Sequence, residues 1–138
     1  MKKKYLLAIA AVLILISLFF IKTFNDQKPE IKNIHLTVES GQELILDADY
    51  EVEAATLADA LIYLNEEGAI SLIYDDGPYG MYIKGIGKEE ALMEDPLSQI
   101  YWIFESKTNP ACAESYCPSA SDLTIEDGDI IVFKQIQY

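Results

Sequence analysis

Residues Tyr5 to Ile21 form an unbroken apolar run in which Ser17 is the only hydroxyl-bearing side chain of small size. Seventeen residues in helical form span roughly 26 Å, close to the ~30 Å hydrocarbon core of a bilayer. The lysines on either side (Lys2, Lys3, Lys4 and Lys22) can snorkel to the interface, and Phe24 extends the apolar stretch beyond Lys22. A cleaved signal peptide is the competing reading. It requires a small-residue cleavage site, and Ser17-Leu18-Phe19-Phe20-Ile21-Lys22-Thr23-Phe24 contains no Ala-x-Ala pattern. The expectation is an uncleaved anchor over residues 1–24. Its leading lysines stay cytoplasmic, which makes the chain a single-pass cell-membrane protein with an extracytoplasmic C-terminal part.

The remainder of the 138 residues has the size of one domain with one core. Its charge is lopsided. Beyond Phe24, six lysines stand against 23 carboxylates with no arginine, leaving −17. Such a surface repels phosphate backbones, so nucleic acid is excluded as a partner. Anionic headgroups are repelled too, and membrane attachment falls to the N-terminal helix alone.

Residues 25–33 are polar, contain Pro29 and read as a short stalk. From Ile34 the pattern alternates, with Ile34, Leu36 and Val38 on one face and His35, Thr37 and Glu39 on the other, as in a half-buried strand. His35 on the polar face is expected to be solvated. Ser40-Gly41 signals a turn and Leu44-Ile45-Leu46 a returning strand. Thr56 can cap a helix with Asp59 three positions on, Leu57, Leu61 and Leu64 share one face, and Gly68 ends it.

Strands are expected over Ile70–Tyr74, Tyr79–Ile86 and Ile100–Phe104, with Asp75-Asp76-Gly77-Pro78 as a turn. Ile130-Ile131-Val132-Phe133 reads as a strand buried on both faces, preceded by a hairpin turn at Glu126-Asp127-Gly128-Asp129. The order implies an α+β fold, a sheet with one covering helix after the N-terminal transmembrane helix.

Cys112 and Cys117 are the only cysteines, in one short loop between Asn109-Pro110 and Pro118. Outside the cytoplasm a disulfide is the simplest outcome. A redox pair and half of a metal site compete with it. Against them, the spacing is not that of thioredoxin-type motifs, and His35 is far away in sequence.

Catalysis finds little support in the residues. The chain has one His, no Arg and no nucleophile motif, and doublets such as Asp75-Asp76, Glu89-Glu90 and Glu94-Asp95 point apart on regular elements. No catalytic residue, cofactor or metal ligand is assigned. Asp127-x-Asp129 and Asp75-Asp76 offer hard oxygen ligands for calcium, but neither fits an EF-hand loop, and solvated turns are the simpler reading. The aromatics Tyr79, Tyr82, Tyr101, Trp102 and Tyr116 are the candidate ligand-binding residues, because each combines an apolar face with a polar edge.

Four segments in order resemble the C-terminal domain of transcobalamin and its bacterial relatives, a group largely of unknown function. They are Thr56-Leu57-Ala58-Asp59-Ala60-Leu61, Tyr79-Gly80-Met81-Tyr82-Ile83-Lys84-Gly85-Ile86-Gly87, Tyr101-Trp102-Ile103-Phe104 and Leu123-Thr124-Ile125-Glu126-Asp127-Gly128-Asp129-Ile130. The resemblance covers residues 34–138. It implies a small β-grasp-like mixed sheet with one helix, secretion or envelope anchoring in bacteria, and a binding module for a small molecule such as a corrinoid. One departure stands out. Where the family has an Asn-Gly turn after the Tyr-Trp strand, this chain has Glu105-Ser106-Lys107-Thr108-Asn109-Pro110 and then the cysteine loop, so no family contact in that turn is carried over. The alternative function is an envelope protein-interaction or structural module that recognises a membrane-bound partner, consistent with so short a stalk.

Overall fold

A computed structural model describes residues 2–25, 29–114 and 116–138, with the side chains of residues 23–25 outside the description. The Phe24 side chain and part of the expected stalk therefore lie outside the described residues. Helix α1 spans Lys2–Asn25. Its run from Lys2 to Lys22 is long and apolar enough to cross a membrane, and none of it is buried against the rest of the protein. Ser17 Oγ donates to the Ile14 carbonyl at 2.8 Å, so the one small hydroxyl side chain in the run is satisfied within the helix.

The rest is α+β, as expected, but its strands divide into two sheets rather than one. Strands β1 (Ile31–Ser40), β2 (Glu43–Glu53), β6 (Ile100–Glu105) and β7 (Asp129–Gln137) form a mixed sheet in the order β2-β1-β7-β6. Within it β1 and β7 are parallel and the other pairs antiparallel. Strands β3 (Ser71–Gly77), β4 (Gly80–Gly87) and β5 (Leu92–Met93) make a small antiparallel sheet. Residues 31–33, expected within the stalk, pair with β2 as the start of β1.

Helix α2 (Leu57–Glu66) forms where its periodicity placed it. Thr56 Oγ1 accepts from Asp59 N–H, and Gly68 follows the helix end with φ +72°, a conformation that suits a residue without Cβ. Two further N-terminal amides find distant partners: Leu57 N–H donates to Leu123 O and Ala58 N–H to Ala120 O, both at 2.9 Å. The chain around Leu123 thus completes the helix N-terminus, which otherwise leaves its first amides unpaired. Leu57, Leu61 and Leu64 belong to one core cluster with Ile34, Leu36, Val38, Ile131 and Phe133. Burying each such side chain contributes about 1.5–3 kcal/mol.

Three local readings are corrected. The Ile130–Phe133 strand is buried on one face only. Ile131 and Phe133 are fully enclosed while Ile130 is 43% exposed, because the helix and small sheet cover a single face of the large sheet. Glu126–Asp129 is a turn but not a hairpin. Strand β7 joins β1 and β6 after a long crossing over residues 106–128. Asp75 and Asp76 extend β3, paired with Tyr82 and Met81, and the turn is the Pro78-Tyr79 pair between Gly77 and Gly80. The glycine pattern of β4 has a steric cause: a Cβ on Gly87 would stand 2.0 Å from the Glu90 carbonyl oxygen.

Candidate functional site

The two sheets meet along β4 and β6, and a half-open groove of about 280 Å³ lies between them. Met81, Tyr82 and Ile83 form one wall, Trp102, Ile103 and Phe104 the other, and Phe133 also lines it. The segment Cys117-Pro118-Ser119-Ala120 closes one side. Apolar surface predominates, with a few polar groups around it, the usual composition of a small-molecule site.

Each wall is held by specific bonds. Trp102 Nε1 donates to the Leu92 carbonyl at 2.8 Å, fastening β6 to the small sheet. Tyr82 Oη donates to Glu94 Oε2 at 2.5 Å, and this carboxylate pushes the phenol pKa up to about 12. The Met81 amide donates to Ser121 Oγ at 2.8 Å, which ties β4 to the segment that follows the cysteine loop. The Cys112–Cys117 disulfide is formed, with a Cα–Cα separation of 4.3 Å, and it delivers Cys117 to the groove. Ser115, inside that loop, is not among the described residues.

Of the five aromatic candidates, the structure brings Tyr82 and Trp102 to the groove. Tyr101 does not line it and packs on Tyr138 with ring centroids 6.1 Å apart. Tyr79 and Tyr116 are almost fully exposed, Tyr79 in the β3–β4 turn and Tyr116 next to Cys117. Sequence reasoning missed Met81, Ile83 and Phe133, which alternation alone assigns to a core, and Pro118 to Ala120, which carry no periodicity.

The polar candidates have structural partners. Asp129 is buried; its Oδ2 accepts from Asn109 Nδ2 at 2.7 Å and from Glu126 N–H at 2.8 Å. Asp127 Oδ1 accepts from Asn33 N–H at 2.7 Å, and Asp75 pairs with Lys84 at 3.4 Å. Among the described residues no group of three or more His, Cys, Asp or Glu is placed to hold a metal ion. The expectation of a solvated His35 is corrected. Its Nδ1 lies 2.7 Å from Asp49 Oδ1 and its Nε2 2.6 Å from Asp47 Oδ1, one carboxylate at each ring nitrogen. Cross-strand register causes this, because His35 pairs opposite Asp49 with Asp47 two residues along the same face.

Fold and groove together define an α+β domain with a half-open apolar cleft between two sheets. Its fold is transcobalamin-like. Haptocorrin in complex with Cbi superimposes with a TM-score of 0.60 at 13% identity, over 79% of this chain and 26% of haptocorrin. A protein from Ruminococcus gnavus ATCC 29149, provisionally described as metal binding, superimposes with a TM-score of 0.59 at 22% identity. That match covers 78% of this chain and 98% of the other. The chain therefore spans about a quarter of haptocorrin and nearly all of the Ruminococcus protein. By sequence, no family model and no curated protein matches.

Proposed function

We propose that this protein is a non-catalytic binding module, held at the cell membrane by an uncleaved α1 with its C-terminal domain outside the cytoplasm, and that the β4–β6 groove is its binding site. The observation that carries this reading is the apolar cleft walled by Trp102 and Tyr82 and braced by hydrogen bonds and a disulfide. A half-open, mostly apolar recess of this kind favours an apolar or flat ligand over water. The likeness to haptocorrin supports a corrinoid as the small molecule to try first. About three quarters of haptocorrin has no counterpart here, and the groove is small, so this domain would grip one edge of such a ligand.

The test uses the full chain in lipid nanodiscs. Trp102 is its only tryptophan, so intrinsic fluorescence reports directly on the groove. Saturable quenching by a corrinoid, reproduced as a one-to-one adduct in native mass spectra, supports the small-molecule reading. No response well above micromolar concentration removes it. Recognition of a membrane-bound protein partner is the second reading, favoured by the open edge of β6 beside the groove.

A further inference from the structure

We propose that the outer edge of β6 receives an extended cationic peptide segment, which adds to the four-stranded sheet alongside Trp102–Phe104 within the groove. This rests on the groove being the binding site and specifies the chemistry of a protein partner.

Backbone register supplies the first argument. Asp95 and Ile100 exchange two hydrogen bonds of 2.9 Å on the outer side of β6, and Tyr138 N–H donates to Gln99 O on the β7 side. Backbone groups of alternate residues in a strand point to the same side. Those of Tyr101 and Ile103 therefore face β7, and those of Trp102 and Phe104 face outward. Ile100 has Asp95 as its outer partner, whereas Trp102 and Phe104 have no backbone partner on that side among the described residues. Two N–H and two C=O groups on that side thus lack a backbone partner among the described residues, with a repeat of about 6.8 Å, the repeat of an extended chain.

The other edges are guarded, β3 by Asp75 and Asp76 near its end and by Asn65 Oδ1, which accepts from Leu72 N–H at 3.0 Å. Strand β2 carries Glu43, Asp47, Asp49, Glu51 and Glu53 along its length. The β5 carbonyls are taken by side chains, Leu92 O by Trp102 Nε1 and Met93 O by Gln135 Nε2. Charged or covered edges resist strand addition. Strand β6 reads Ile-Tyr-Trp-Ile-Phe-Glu, with a single charge at its end. It is the apolar edge, and it borders the groove.

Charge selects the occupant. A second copy of this chain would bring another domain of −17 against the first, and repulsion opposes that pairing. A segment with Lys or Arg flanking its apolar residues is attracted instead, while its backbone supplies the missing hydrogen bonds.

The experiment uses the full chain in phosphatidylcholine nanodiscs with a blocked heptapeptide of alternating Lys and Val. Two isomers of Lys-Val-Lys-Val-Lys-Val-Lys accompany it, one N-methylated at its three Val and the other at its last three Lys, so that each loses donors of one edge. The expected result is saturable one-to-one binding with slowed amide exchange at Trp102 and Phe104. One isomer should bind about tenfold or more weakly while the other keeps its affinity. Equal binding by both isomers would show attraction by charge alone and overturn the proposal. So would no protection at either amide, or protection that arises without peptide through self-association. A corrinoid titration of Trp102 fluorescence runs in parallel. A corrinoid response without peptide protection leaves the groove reading standing and removes this inference, and silence in both removes both.

Discussion

The Trp102 indole donates to the Leu92 carbonyl at 2.8 Å, so the side chain of one sheet's edge strand caps the backbone of the other sheet. The bond places Trp102 between the two sheets, 9% exposed, with its backbone at the groove. Replacing it tests packing and bonding separately. Trp102→Ala is expected to destabilise the fold by about 3–5 kcal/mol. Trp102→Phe keeps much of the packing and leaves the Leu92 carbonyl unpaired, for about 1–3 kcal/mol. Urea denaturation followed by circular dichroism gives both values, and a Trp102→Phe loss near zero would deny the hydrogen bond a role.

Asn109 supports the long connection between β6 and β7. Its Nδ2 donates to Asp129 Oδ2 at 2.7 Å and to Thr124 O at 2.9 Å, and its Oδ1 accepts from Ala111 N–H at 3.0 Å. Asn109 and Asp129 are each 3% exposed. Asn109→Ala removes these bonds and leaves a buried carboxylate short of a donor, which should cost about 3 kcal/mol. Thr108→Ala, at a partner with a longer 3.2 Å contact to Asp129, should cost less. The reverse order would shift the weight of this network to the hydroxyl.

His35 makes stability depend on pH. Hydrogen bonds that the His35 ring donates to Asp49 and then to Asp47 raise its pKa above the ordinary value of 6.5. A raised folded-state pKa means that the stabilisation is complete below the unfolded pKa and is lost as pH rises through the folded one. Stability should therefore decline from about pH 6.5 upward, and His35→Gln should flatten that decline. Denaturation midpoints at several pH values between 5.5 and 8.5 decide it, and a His35→Gln curve parallel to the parent would refute the clamp.

The disulfide closes a ring of six residues, from Cys112 to Cys117. Chain entropy assigns it about 2 kcal/mol. Intact mass should fall by about 2 Da on oxidation, and the paired Cys112→Ser, Cys117→Ser variant should lose about that stability. Because Cys117 lines the groove, the same variant should also weaken any ligand that quenches Trp102. Unchanged affinity would place the ligand away from that wall.

Much of the fold was legible because its signals are local. Thr56, Asp59, Leu57, Leu61 and Gly68 mark α2 within thirteen residues, and Ile34, Leu36 and Val38 mark the buried face of β1. The turns were less legible. Asp75-Asp76-Gly77 has turn chemistry, yet the pairing of β3 with β4 carries the strand through it. Candidate site residues were legible in part: Trp102 and Tyr82 meet at the groove, while Tyr101 packs on Tyr138 outside its lining. Aromatic chemistry identifies which side chains suit recognition, not which sheet lies opposite them.

By itself the sequence determined the apolar length of α1, the caps and stripe of α2, the alternation of β1 and the proximity of Cys112 to Cys117. Each follows from neighbours within a few turns or one short loop, where spacing and propensity decide. Only the tertiary structure decided that β7 buries one face, that His35 sits between two aspartates, and that the chain near Leu123 completes the helix N-terminus. The groove belongs to that second group. Its walls come from β4, from β6 and from the residues after Cys117, and its open edge exists because no strand of the small sheet reaches Trp102 and Phe104. Long-range pairing and packing set these relations, and no local pattern in the chain encodes which distant residue fills each place.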